Sequence, residues 1–147
     1  MFTLGYVLFA MLMRNSSRSG MGDWFMIQTS NGLVLDIAGA AQGGRLTIFQ
    51  AHGGDNQLWR FEDGCLVSKV GLVADIMGGD RNTGAGVIAS TRHGEINQKW
   101  SLQGNLIQSK MTGLVMEVKD GKMVSGTEVT MMNKSESSNQ KWFMYSV

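Results

Sequence analysis

Proline is absent from the 147-residue chain, and cysteine occurs once. Without proline there is no Pro-rich linker or stalk, and tight turns fall instead to the twenty glycines. A single thiol, Cys65, excludes an intramolecular disulfide, so the domain stands on its packing; this is compatible with a reducing compartment without requiring one. An excess of charge is also missing. Thirteen Lys+Arg against twelve Asp+Glu give a formal net charge of +1, and no stretch gathers basic residues on one face. The balance argues against a nucleic-acid or anionic-membrane partner. Long apolar runs are lacking too: Phe2 to Met13 spans twelve residues, where a membrane span needs about 20. What remains, 43% hydrophobic and 17% charged, is the composition of one globular domain with an ordinary core.

The apolar start and the polar stretch after it, Arg14 to Gly20, set residues 1–23 apart from 24–147. They read in two ways. One is a signal peptide, with Ser17 and Ser19 as small residues near a cleavage point, although its start has no Lys or Arg. The other is an upstream extension before Met21, which opens a self-sufficient segment. The first makes the protein secreted, the second cytoplasmic. Asn15 and Asn133 begin glycosylation sequons that matter only for a secreted chain.

The strongest pattern is a repeat. Asn56-Gln57-Leu58-Trp59, Asn97-Gln98-Lys99-Trp100 and Asn139-Gln140-Lys141-Trp142 place their glutamines 41 and 42 residues apart. About two dozen residues before each glutamine stand Gly32-Leu33-Val34-Leu35-Asp36-Ile37, Gly71-Leu72-Val73-Ala74-Asp75-Ile76 and Gly113-Leu114-Val115-Met116-Glu117-Val118. Repeats of about 24–64, 65–105 and 106–147 follow, each with short period-two apolar runs broken by Gly, Asn and Asp. Leu46 and Ile48 match Val87 and Ala89, then Val129 and Met131, as inward positions. About four strands per unit and no long amphipathic helix are expected. Three units are too few for a propeller, which typically needs about 4–8 blades, whereas a threefold barrel capped by hairpins closes its edges around one core.

Over residues 24–147 this triplicated Gln-Xaa-Trp, in register with three Leu-Val-Xaa-Asp/Glu segments, resembles the ricin B-type β-trefoil lectins. The resemblance implies an all-β trefoil with pseudo-threefold symmetry that binds glycans, of galactose or N-acetylgalactosamine type, without a cofactor. Physically, the motif itself reads first as structure. A buried Trp needs a partner for its indole N–H, and a neighbouring Gln can satisfy backbone groups at a turn.

A sugar site needs a carboxylate and an amide for hydroxyls, and an aromatic platform for the apolar ring face. Strand parity puts Asp36 off the face of Leu35 and Ile37, and Phe49 off the face of Leu46 and Ile48, so both can share an outer pocket with Asn56. The resembled family has its hydroxyl-accepting Asp, stacking aromatic and amide at these positions, with a further polar contact at His52. Gln57 completes the first site. Phe49 stands where Trp or Tyr is usual, and Thr47 where Gln may occur. Repeat two offers Asp75, His93 and Asn97 with Ser90 at the aromatic position. Repeat three offers Glu117 and Asn139, with Met132 and Ser135 in place of the aromatic and the His. The alternative for Asp36 and Asp75 is a turn-capping carboxylate, and for Phe49 a satellite hydrophobic contact. Repeat one is therefore expected to hold the main site.

No enzyme is expected. His52 and His93 occupy equivalent places in different repeats, too far apart for a metal or a catalytic pair. Cys65 begins a core strand and reads as a small buried hydrophobe, and the methionines read as packing, Met132 excepted. Gly78 to Gly86 is a hairpin loop lacking the Gly-Lys-Ser/Thr of a phosphate loop. Two further readings stay open: a trefoil that has lost sugar binding and contacts protein, and a targeting module that accompanies an enzyme. A weak single site would need several copies or a homo-oligomer for avidity.

Overall fold

The computed structural model describes residues 23–147. Residues 1–22, with the leader and the Asn15 sequon, lie outside the described part. Twelve four-residue strands appear among the described residues: β1 (Phe25–Gln28), β2 (Val34–Ile37), β3 (Leu46–Phe49), β4 (Trp59–Glu62), β5 (Cys65–Ser68), β6 (Val73–Ile76), β7 (Val87–Ser90), β8 (Trp100–Gln103), β9 (Leu106–Ser109), β10 (Val115–Val118), β11 (Val129–Met132) and β12 (Phe143–Ser146). Burial alternates with a period of two in β1, β4, β7 and β8, whereas β2 and β6 are buried throughout. In β1, Phe25 and Ile27 are buried while Met26 and Gln28 are half-buried.

Two kinds of antiparallel pair build the molecule. β2–β3, β6–β7 and β10–β11 are hairpins paired along their whole length. β4–β5 and β8–β9 carry the chain from one repeat to the next, and β12 pairs along β1, so the last strand closes the barrel onto the first. The β4–β5 connection is the two-residue turn Asp63-Gly64, with φ of 51° and 80°. Positive φ at both positions is what a type I′ hairpin turn requires, and Asp-Gly is a preferred pair for it.

The hairpins interlock in a cycle at the barrel's end. Gly43 N donates to Ala89 O, Gly84 N to Met131 O and Gly126 N to Ile48 O, each at 2.7 Å, so every repeat's hairpin loop docks on the next. This is a β-trefoil. Where the three hairpins meet, symmetry is broken: Arg45 Nη2 reaches Glu128 Oε1 at 3.1 Å, and a Cβ on the equivalent Gly86 would lie 2.7 Å from that guanidinium.

Trp59, Trp100 and Trp142 sit in the shared core at 1% exposure or less, with Leu35, Leu46, Ile48, Val87, Ala89, Val129 and Met131 around them. Each indole N–H donates to a backbone carbonyl: Leu35 O at 3.1 Å, Ala74 O at 3.1 Å and Met116 O at 3.2 Å. Polar satisfaction removes the cost of burying the only hydrogen-bonding group on an otherwise apolar side chain. Cys65 is fully buried at the start of β5. Met116, Met131 and Met144 are core residues, but Met77 is 44% exposed. Met77 therefore joins Met132 as a methionine that is not packing in the core. Met77 opens a 3-10 turn (Met77–Gly79) that follows β6, where strand parity no longer directs side chains. No helix among the described residues is long and apolar enough to cross a membrane.

Candidate functional site

The Asn-Gln pair of each repeat lies in a short 3-10 turn: Asp55–Gln57, Ile96–Gln98 and Ser138–Gln140. The turn aims the glutamine inward. Gln57 is fully buried and uses both ends of its amide. Its Oε1 accepts from His52 N at 2.8 Å and Gly53 N at 3.3 Å, and its Nε2 donates to Gln50 O and Asp36 Oδ2, each at 2.9 Å. Two residues on, Trp59 binds the carbonyl of Leu35. The motif thus grips β2 twice around one residue, holding the backbone before Asp36 and the carboxylate of Asp36 itself.

Asp36 is 4% exposed, and both of its protein donors fall on one oxygen. Gln57 Nε2 and Asn56 Nδ2, at 3.2 Å, donate to Oδ2, while Oδ1 has no hydrogen-bond partner among the described residues. Asn56 also donates to Ile37 O at 3.1 Å, so its Nδ2 protons are committed and its Oδ1 remains as an acceptor. His52 accepts from Gly54 N at its Nδ1 at 3.0 Å, which leaves Nε2 as the ring's donor. That Nε2 stands 3.8 Å from Asp36 Oδ2, beyond hydrogen-bond reach, and the ring meets Phe49 edge-on at 6.3 Å between centroids. Phe49 is 42% exposed.

These groups line an open cavity of about 360 Å³, formed by Asp36, Ala38, Gly39, Thr47, Phe49, His52, Asn56 and Gly126. Asp36, Phe49, His52 and Asn56 line the cavity together, whereas Gln57 bonds to Asp36 and His52 without lining it. Gln57 is corrected from a lining residue to a support behind the wall, because a fully buried amide with four protein partners has nothing to offer a ligand. Sequence reasoning missed Ala38 and Gly39, which lie on a 3-10 turn (Ala38–Ala40), and Gly126, contributed by the third repeat. Thr47 was legible by register, since it pairs with Asp36 across the hairpin. For Gly126 the sequence carries no signal.

Repeat two copies the polar frame. Gln98 donates to Asp75 Oδ2 at 2.8 Å and to Thr91 O at 2.9 Å, and its Oε1 accepts from His93 N and Gly94 N. His93 Nδ1 accepts from Glu95 N. One detail differs: Asn97 donates to Asp75 Oδ1 at 3.3 Å, so both carboxylate oxygens have protein partners. Ser90 occupies the place of Phe49, each pairing with the first residue of the preceding strand, and Ile88 faces Asp75 where Thr47 faces Asp36. In repeat three Gln140 holds Glu117 Oε1 at 2.9 Å, but Asn139 binds only Val118 O, and Met132 takes the aromatic position.

Comparison with known proteins agrees with this fold. A family model described as the ricin-type beta-trefoil lectin domain matches residues 23–142. Among solved structures the chain is similar to the designed threefold-symmetric protein ThreeFoil, with 25% identity and a TM-score of 0.78 over 84% of this chain and 99% of that one. It is similar to the earthworm R-type lectin C-half, solved in complex with GalNAc, with 22% identity and a TM-score of 0.72 over 85% of this chain and 99% of that one. It also matches an exo-β-1,3-galactanase from Clostridium thermocellum, with 21% identity and a TM-score of 0.78; there 87% of this chain covers 31% of the other.

Proposed function

The chain belongs to the ricin-type β-trefoil lectin domain family, a carbohydrate-binding module, and on that premise we propose that it recognises galactose or N-acetylgalactosamine termini through the repeat-one cavity. The observation that carries this reading is the use of Asp36: one oxygen is anchored by Gln57 and Asn56, and the other is left for a ligand. A carboxylate fixed in this way offers its free lone pairs to sugar hydroxyls without first having to be ordered. In galactose-type sugars the axial 4-hydroxyl lies on one side of the ring and leaves a C–H face on the other. Phe49 is the platform for that face, while His52 Nε2–H and Asn56 Oδ1 serve hydroxyls at the rim. The GalNAc complex of the earthworm lectin half, which shares this fold, supports the same sugar class.

Repeat two is secondary on the same argument, because Asp75 keeps no oxygen without a protein partner and Ser90 provides no ring. A single shallow site of this kind is weak: a millimolar constant is about −4 kcal/mol, so useful avidity requires more than one site or self-association. We assign no catalytic step to the domain. His52 and His93 are each committed to their own loop, and among the described residues no group of three His, Cys, Asp or Glu is placed to hold a metal.

NMR titration with methyl galactoside, GalNAc and methyl glucoside tests the reading. Shifts are expected around Asp36 and Phe49 with the first two sugars, and both Asp36→Ala and Phe49→Ala should abolish them. Binding that survives either variant but disappears in Asp75→Ala overturns the assignment to repeat one. One observation favours a protein-binding role for repeat two: Met77 and Ile96 are 44% and 47% exposed beside the Asp75 frame. A protein retained by the domain and not released by free galactose would support that role.

A further inference from the structure

A second open cavity, of about 390 Å³, is lined by Lys119, Asp120, Lys122, Val124, Ser125, Gly126 and Thr127. It belongs to the third repeat's loop, yet it adjoins the repeat-one cavity, because Gly126 lines both. The wall between them is a single strand-width of chain. Ser125 Oγ accepts from Gln50 N at 3.2 Å, directly after Phe49, and Thr127 O accepts from Ile48 N at 2.9 Å. Neighbouring strands lie about 4.8 Å apart, so a group held at Phe49 is one strand from this second cavity. Gly126 leaves the wall low. A Cβ built there meets no atom within 4 Å, and its φ of 96° disfavours any other residue.

The charge of this cavity differs from that of the first. Lys119 and Lys122 are exposed, and neither makes an ion pair or a side-chain hydrogen bond with a described residue. Asp120 is the one acidic side chain in the lining, and it pairs with neither lysine. Arg45, Arg60 and Arg92, by contrast, are all engaged with carboxylates. Two uncommitted lysines share this lining with Ser125 and Thr127, so the cavity next to the sugar-sized one is rich in possible donors.

We propose that this cavity is a subsite for an anionic substituent, a carboxylate or a sulfate, on the saccharide whose neutral terminus sits at Asp36 and Phe49. The inference rests on the sugar site proposed above and narrows its ligand class from neutral galactosides to acidic ones. Val124, 51% exposed, adds an apolar contact for the intervening ring.

The test is calorimetric or NMR titration of the full chain with lactose, sulfated lactose and sialylated lactose, at low and at about 0.5 M salt. At least one acidic sugar is expected to bind about tenfold tighter than lactose at low salt, the size of one charge-assisted hydrogen bond, with the gain shrinking at high salt. Which of the two shows the gain distinguishes carboxylate from sulfate. The double variant Lys119→Ala/Lys122→Ala should lose the gain and keep lactose affinity. Equal affinity for all three sugars, or a gain that survives the double variant, overturns the subsite while leaving the neutral site standing. No binding of any of the three overturns both.

Discussion

Replacing Gln57 by Leu is the perturbation that separates the structural from the functional role of the repeated motif. Leucine has a similar volume, so little cavity forms, and the loss is that of four hydrogen bonds. They are not equal. The backbone groups of Gln50, His52 and Gly53 belong to exposed residues and can turn to water, so together they cost about 1 kcal/mol. The Asp36 oxygen that Gln57 holds is different: it belongs to a residue only 4% exposed and would keep only Asn56, at 3.2 Å. A hydrogen bond to a charged group is worth about 1.5–3 kcal/mol, which brings the expected loss to about 3 kcal/mol. That is a large share of the roughly 5–15 kcal/mol that holds a domain together, and it should lower the melting temperature by about 10 °C. Gln140→Leu is the internal comparison. It removes three bonds, and Glu117 is half-buried and keeps access to water, so about half the loss is expected. Thermal unfolding followed by circular dichroism measures both, and galactoside titration of folded Gln57→Leu measures whether Asp36 still binds. Equal melting shifts in the two variants, or unchanged sugar affinity in Gln57→Leu, would refute the claim that Gln57 acts by holding Asp36.

Other outcomes follow from the same geometry. Trp100→Phe strands the buried carbonyl of Ala74 and leaves a void, so a loss of about 3–4 kcal/mol is expected in denaturant unfolding. Glu128→Ala breaks an ion pair whose side chains are 31% and 38% exposed, and should cost less than about 1 kcal/mol by the same assay. Ser90→Phe supplies repeat two with the ring that repeat one has; new galactoside-induced shifts near Asp75 are expected, and their absence would show that the committed oxygens of Asp75, not the missing ring, disable that site.

Much of the candidate site was legible in the sequence because its polar frame is local and repeated. Asp36, Phe49, His52 and Asn56 lie within one repeat, and strand parity is enough to aim the first two outward. Gln57 was named both as a structural group and as a site residue, because sequence adjacency to Asn56 says nothing about direction. A 3-10 turn sends the two neighbours opposite ways, one half-buried at the rim and the other fully buried. Parity arguments hold along strands and fail at the first turn beyond them.

By itself the sequence determined the trefoil: three Gln-Xaa-Trp motifs in register with three carboxylate-bearing segments specify the same local contacts three times, and three such units close in few ways. Tertiary structure was needed to show that the carboxylates of the repeats differ in their partners. The two donors to Asp36 share one oxygen, whereas those to Asp75 take both, a difference of side-chain orientation that identical motifs do not encode. It also decided that Gly126, from the last repeat, borders the cavity of the first. Threefold closure brings hairpin loops of one repeat against the strands of the next, so part of the repeat-one cavity's rim is written far along the chain from the rest of it.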